Sequence, residues 1–126
     1  MTLVTAVDDQ DWKVWDDPER GCLRWCLLDD GADPSPGVVT TGVLDLAPDG
    51  WLGRHRHTAP ETYYVLDGEV VVTLADEEVA VGPGTLVRLP SDIEHGIRAV
   101  GRSARVLFVF PTVAFDDVAY RFDAEA

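Results

Sequence analysis

The sequence predicts an all-β fold, a sandwich or a barrel, from three observations. Runs rich in valine, threonine and aromatic residues recur at short intervals along the chain. Between them stand clusters of Gly, Pro, Asp and Ser, the chemistry of turns. Nowhere do apolar residues hold an i, i+3, i+4, i+7 spacing over the length that a packed helix needs, and no internal repeat is visible. A chain of 126 residues is the size of one domain. It divides into N-terminal strands and a loop (1–36), a barrel (37–110) and a tail (111–126).

Taken in order, residues 12–15 and 21–28 read as a hairpin at a sheet edge, joined by the turn Asp16-Asp17-Pro18-Glu19-Arg20. Trp12, Trp15 and Trp25 are expected to pack rather than bind. Arg24 is expected on an exposed edge, with a second reading in which it points into the barrel and holds a substrate carboxylate. Cys22 and Cys26 lie in one strand, roughly 13 Å apart, too far for a disulfide, and are expected to be free core thiols. Residues 29–36 form a loop and 38–46 a long strand, while 47–53 carry Trp51 toward the rim of the site. A strand over 62–66 follows, then a hairpin of 69–74 and 79–81 closed by Gly82-Pro83-Gly84. Residues 86–89 end at Pro90, the Ser91-Asp92 turn follows, and 94–100 carry His95. The apolar run 106–110 suggests a strand buried on both faces. In the tail, Phe115, Val118, Tyr120 and Phe122 are apolar enough to dock, either on their own barrel or on another subunit.

The chain has three histidines. His55 and His57 are two apart, so on a strand both imidazoles share a face and converge on one point. Glu61 opens the next strand, and His95 sits in a third strand-like segment. Three imidazoles and a carboxylate leave coordination positions open, as a catalytic rather than a structural metal site does. The donor set suits one divalent transition metal, Fe, Mn, Ni, Cu or Zn. A Mg or Ca site would want more oxygen ligands. If Glu61 points at the metal, strand alternation places Tyr63 on its face and Tyr64 on the other. Tyr63 is then the candidate for moving a proton, although a phenol with a pKa of about 10 needs a nearby cation for that role.

The spacing of His55, His57, Glu61 and Gly68 resembles the first motif of the cupin superfamily, with Gly50 one place off its leading glycine. Gly84, Pro90 and His95 are similar to the second motif. There Asp92 replaces the turn glycine, a substitution a left-handed turn tolerates, and Ala99 replaces the terminal asparagine. The resemblance implies a double-stranded β-helix, or jelly-roll barrel, acting on a small-molecule substrate. It implies a dioxygenase first. The alternatives are a metal-dependent lyase, isomerase or cyclase, including lyases of dimethylsulfoniopropionate, whose small cupin forms look similar in length and in a tyrosine two after the glutamate, and a binding module without turnover. It also makes a homodimer the default.

The balance of 10 basic to 23 acidic residues, net −13, argues against nucleic acid or an anionic membrane surface as partner. No apolar run reaches the roughly 20 residues of a membrane span, and the N-terminus lacks the pattern of a secretory signal. The expected location is the cytoplasm.

Overall fold

The computed structural model describes residues 4–30, 39–111, 115 and 118–122. Apart from a 3-10 turn at Val7–Asp9, its elements are strands. In order they are β1 (Lys13–Asp17), β2 (Gly21–Asp29), β3 (Val39–Leu46), β4 (Trp51–Arg56), β5 (Glu61–Asp67) and β6 (Val70–Leu74). There follow β7 (Glu77–Val81), β8 (Leu86–Leu89), β9 (His95–Ala99), β10 (Ala104–Pro111) and β11 (Arg121–Phe122). The all-β expectation therefore holds. Most of the expected loop at 29–36 lies outside the described residues.

All strand pairs are antiparallel, and they join in the order β7-β6-β9-β4-β2-β3-β10-β5-β8. β1 hangs on β2 and β11 on β4. The sheet curls because β2 serves both walls. Its first residues pair with β4, Gly21 against Leu52 and Cys22 against Trp51, and the stretch from Arg24 to Asp29 pairs with β3. The crossing is tight at Gly21, where a Cβ would stand 2.4 Å from the Trp51 carbonyl oxygen. The jelly-roll half-barrel so formed encloses one apolar core, with Leu44, Val65, Val72, Leu89, Val106 and Phe110 among its buried members.

Two bulges decide which residues face that core. Between β4 and β9 the register runs Leu52 to Ile97 and then His55 to His95, so three steps on β4 match two on β9. The extra residue flips the parity of the strand. As a result Leu52 and His55 are both buried although an odd number apart. Trp51, expected at the rim of the site, belongs to β4 and lies in a surface groove with Arg98 on the outer side. The second bulge, between β10 and β5, lets Val106 pair with Val65 after Arg105 has paired with Asp67.

The expectation for β10 needs correcting. Ala104, Val106, Phe108 and Phe110 are buried, whereas Arg105, Leu107 and Val109 are only half-buried, so the strand has one core face and one outer face. Cys22 is exposed and is no core thiol, while Cys26 is buried as expected. Of the tail residues expected to dock, Val118 and Phe122 are buried in this chain's own barrel, with Phe115 and Tyr120 packed against the same core.

Gly68, the last residue of the first motif, follows β5 at φ 77°, and a Cβ there would lie 2.3 Å from the Ser103 carbonyl oxygen and 2.7 Å from the Ala104 Cα. Strained backbone and overpacking each cost of the order of 1–3 kcal/mol. Gly68→Ala should therefore lower stability by about 2–4 kcal/mol, read as the shift of the urea midpoint at unchanged slope.

Candidate metal centre and its cavity

His55, near the end of β4, and His95, at the start of β9, are direct cross-strand partners, with ring centroids 4.2 Å apart. His57 lies just past β4, 5.4 Å from His55 and 4.8 Å from His95 between centroids. All three rings are buried, at 1 % exposure or less. One ligand atom from each lies within 4.8 Å of those of the others. Glu61, the first residue of β5 and also buried, brings Oε1 to 3.2 Å from His57 Nε2 and 3.4 Å from His95 Nε2. The four expected ligand residues therefore meet in one place.

The tautomers follow from the backbone. Each Nδ1 faces a carbonyl oxygen two residues away: His55 to Gly53 at 2.8 Å, His57 to Ala59 at 2.7 Å and His95 to Ile93 at 2.9 Å. A carbonyl only accepts, so each Nδ1 carries a proton and Nε2 is the nitrogen that each ring turns inward. The Nε2 atoms of His55 and His95 are buried without a hydrogen-bond partner. That of His57 faces a carboxylate oxygen. Three inward nitrogens and a carboxylate converge on one point, where a shared cation satisfies them all, and a divalent transition metal fits both the donors and the orphaned atoms.

Electrostatics prepare the ligands. Burial, reinforced by His95, pushes the His55 pKa down from 6.5 to about 3, so the ring is neutral in near-neutral solution. Burial alone would raise the Glu61 carboxyl, but the imidazoles of His57 and His95 outweigh it and hold the group below the ordinary carboxylate range.

A cavity of ≈ 280 Å³ opens beside Glu61. Its walls are largely aromatic, including Trp15, Trp25, Tyr63, Phe108, Tyr120 and Phe122. Tyr63 is 1 % exposed and Tyr64 37 %, so the two tyrosines face opposite sides as alternation requires. Burial first, and then the charge of Glu61, raise the Tyr63 and Tyr120 hydroxyls well above the usual phenol value. Trp12, by contrast, packs outside the barrel, under the Arg24 guanidinium at 4.0 Å.

The sequence marks Tyr120 as a docking residue of the tail and Arg20 as part of a turn, but places neither at the site. Tyr120 of the tail stacks on His55 at 4.8 Å and 17°, and stands 5.1 Å from His57. Where that docking ends leaves no mark in local periodicity. Arg20 also lines the cavity, while Arg24 is exposed, as first expected, and pairs with Asp45 at 2.8 Å, which overturns only the second reading of it as an inward carboxylate holder. The inward residues of β2 are Leu23 and Trp25, and Arg24 falls between them. The same alternation, applied from Leu23, identifies Trp25 as a wall residue rather than mere packing.

Comparison with known proteins gives consistent results. Residues 42–110 match the profile of the family described as "Cupin domain". The dimethylsulfoniopropionate lyase DddW of Ruegeria pomeroyi is 34% identical over 110 residues, which span 87% of this chain and 72% of that protein. Among solved structures, the polyketide cyclase RemF from Streptomyces resistomycificus superposes with a TM-score of 0.81 at 22% identity, covering 98% of this chain and 86% of that one. A predicted oxalate decarboxylase from Thermotoga maritima gives 0.77 at 20% identity, covering 86% and 98%. At those identities the two structures speak for the fold.

Two outcomes are expected of the centre. Purified protein should carry about one divalent transition metal per chain, and His57→Ala should lose most of it by elemental analysis; full retention would show that His57 is no ligand. Protein stripped of metal should lose stability in acid. The folded pKa of His55 lies below its unfolded value, so the unfolded chain takes the proton first as pH falls. The stabilisation is complete above pH 6.5 and lost toward pH 3, with a magnitude of the order of 4 kcal/mol. Glu61, its carboxyl held low, acts in the same direction. Urea denaturation at pH 7, 5 and 4 checks the slope.

Proposed function

The chain belongs to the cupin family, and from that premise we propose that it is a metal-dependent lyase that cleaves the carbon–sulfur bond of a small sulfonium carboxylate such as dimethylsulfoniopropionate. The observation that carries this reading is the 34% identity to a dimethylsulfoniopropionate lyase across 87% of this chain. The cavity supports it. Aromatic faces attract a sulfonium as they attract other cations, and ≈ 280 Å³ suits a small ligand.

The reaction is an elimination. A base takes the proton from the carbon next to the carboxylate, and the C–H electron pair becomes the new double bond. The C–S bond breaks with its pair on sulfur, so acrylate and dimethyl sulfide leave and the proton stays with the base. His55, His57, His95 and Glu61 would hold the metal, which when bound supplies a Lewis acid that polarises a carboxylate and acidifies neighbouring hydroxyls. Tyr63 and Tyr120 line the cavity together with Glu61. Left to burial and the charge of Glu61, both phenols keep their protons at neutral pH. Each can therefore donate a hydrogen bond to a substrate oxygen, and the one that takes the proton needs positive charge nearby. The aromatic walls keep bulk water from the reacting carbon.

This reading takes the place of the dioxygenase as the first choice because the relative that supports it is a lyase, and the two reactions separate on their need for oxygen. We also propose a homodimer. On the outer face, Leu107 pairs with Tyr64 and Tyr64 with Leu86 in one cross-strand row, and Tyr64, Leu66 and Leu86 are exposed at 37%, 45% and 59%.

Metal-loaded protein should release dimethyl sulfide from dimethylsulfoniopropionate under nitrogen. Oxygen-dependent turnover would favour the dioxygenase, and ligand binding without product would favour a binding module. Tyr63→Phe and Tyr120→Phe should both keep the metal, and the variant that lacks the proton-moving hydroxyl should lose roughly 10²-fold or more in kcat. Parent rates in both would remove the tyrosines from the chemistry.

A further inference from the structure

We propose that the Trp25 ring, seated against Phe115 away from the histidines, is the cation subsite by which the enzyme tells a sulfonium from a neutral alkyl group of the same shape; this rests on the sulfonium-carboxylate reading above. A divalent metal among His55, His57, His95 and Glu61 makes the inner end of the cavity positive. That end, with the Tyr63 and Tyr120 hydroxyls, takes the substrate carboxylate. The sulfonium, three bonds beyond the carboxyl carbon, is repelled by the same metal and points away from it. No carboxylate meets it there, because among the described lining residues Glu61 is the acid, and Glu61 belongs to the metal centre. What remains for the cation is the π faces of the walls, and tryptophan presents the most attractive of these.

The ring contacts place Trp25. Tyr120 stacks on His55 at 4.8 Å, Phe115 lies 6.3 Å from Tyr120, and Trp25 lies 4.7 Å from Phe115. Trp25 is thus the third ring out from the ligand histidine, yet it lines the same cavity of ≈ 280 Å³ as Glu61. A cavity of that size keeps both its ends within reach of one small ligand. The platform is held from several sides: Trp25 pairs with Lys13 of β1 and with Leu44 of β3, and the Phe115 N–H reaches the Asp30 carboxylate at 3.3 Å. The wall made by Trp15 and Phe122, 5.9 Å apart, suits a cation less. The Arg20 guanidinium already stands 5.7 Å from the Phe122 centroid, and its charge repels a second cation. Among the described residues, no cation stands over Trp25 or Phe115.

Two ligands that share a carboxylate and a shape but differ in the charge of the head test the assignment. One is the trimethylammonium analogue of the substrate, and the other carries a tert-butyl group in place of that head. Both are titrated calorimetrically into the metal-loaded, full-length protein. Trp25→Leu should keep the parent's metal content and lower the ratio of ammonium to tert-butyl affinity about fivefold or more. Trp25→Phe should lower it about twofold to threefold, since a phenyl face attracts a cation less than an indole does. Where Trp25→Leu does not fold, Trp25→Phe decides, and an unchanged ratio there overturns the proposal. Trp12→Leu, outside the barrel, should leave the ratio at the parent's value, and an equal fall in that variant overturns the assignment to Trp25. Equal losses for both ligands in Trp25→Leu mean that the ring only fills space and also overturn it, as does a parent that does not bind the ammonium ligand. The lyase reading is scored separately, by release of dimethyl sulfide. If the parent does not cleave dimethylsulfoniopropionate but the ratio falls with Trp25, the lyase reading fails and the cation subsite stands. Cleavage with an unchanged ratio sinks the subsite and leaves the lyase.

Discussion

Three hydrogen bonds from imidazole Nδ1 atoms to carbonyl oxygens two residues away hold the centre of this protein together. Each bond does two things at once: it fixes the orientation of a ring and settles which nitrogen keeps the proton. Because the acceptors belong to the ligands' own neighbourhoods, the geometry is set by local chain conformation, before any metal arrives. What remains for the tertiary fold is to bring the three segments side by side. The pairing of His55 with His95 across β4 and β9 does that for two of them, and the bond from the Asp92 N–H to the His57 carbonyl at 2.9 Å ties the third to the turn before β9.

The parts of the site legible in the sequence are those governed by period two. His55 and His57, Glu61 and Tyr63 fall on shared faces because strands alternate, and the opposite exposure of Tyr63 and Tyr64 follows from the same rule. What was not legible depends on departures from that period or on contacts between distant segments. Residues 47–53 were expected to carry Trp51 to the rim as a loop, but β4 already begins at Trp51, and the bulge that inverts the parity between Leu52 and His55 turns Trp51 to the outer side. The exposed place of Arg24 is legible, since its neighbours Leu23 and Trp25 take the inward face. Arg20 reaches the cavity from a turn, where alternation has no authority. Tyr120 arrives from the tail, more than sixty positions after His55; the apolar residues there announce docking, and nothing local says that it ends on a ligand histidine.

The outer face has its own organisation. Asp45 of β3 receives Arg105 at 2.7 Å and Arg24 at 2.8 Å, and the two guanidinium groups lie 5.7 and 4.0 Å from the Trp12 ring. Burial alone would raise the Asp45 carboxyl, but Arg105 and then Arg24 outweigh it and hold the group below its ordinary range. The cluster fastens the segment before β1 across β2, β3 and β10. Exposed ion pairs are individually weak, and this one draws on a partly buried carboxylate shared by two arginines and capped by an indole. The carboxylate that Arg24 holds is thus the protein's own Asp45.

Asp92 adopts φ 62° where the second motif of the family has glycine. The substitution gives up some conformational ease and gains a carboxylate, which takes the Arg121 guanidinium. Arg121 lies between Tyr120 and Phe122, the two rings packed on His55. A departure from the motif and the seating of the tail are therefore one feature, shared between residues remote in the sequence. Among homologues the two positions should behave as a coupled pair in descent: lineages with glycine at the turn are released from keeping an arginine in the tail, and those with aspartate are bound to it.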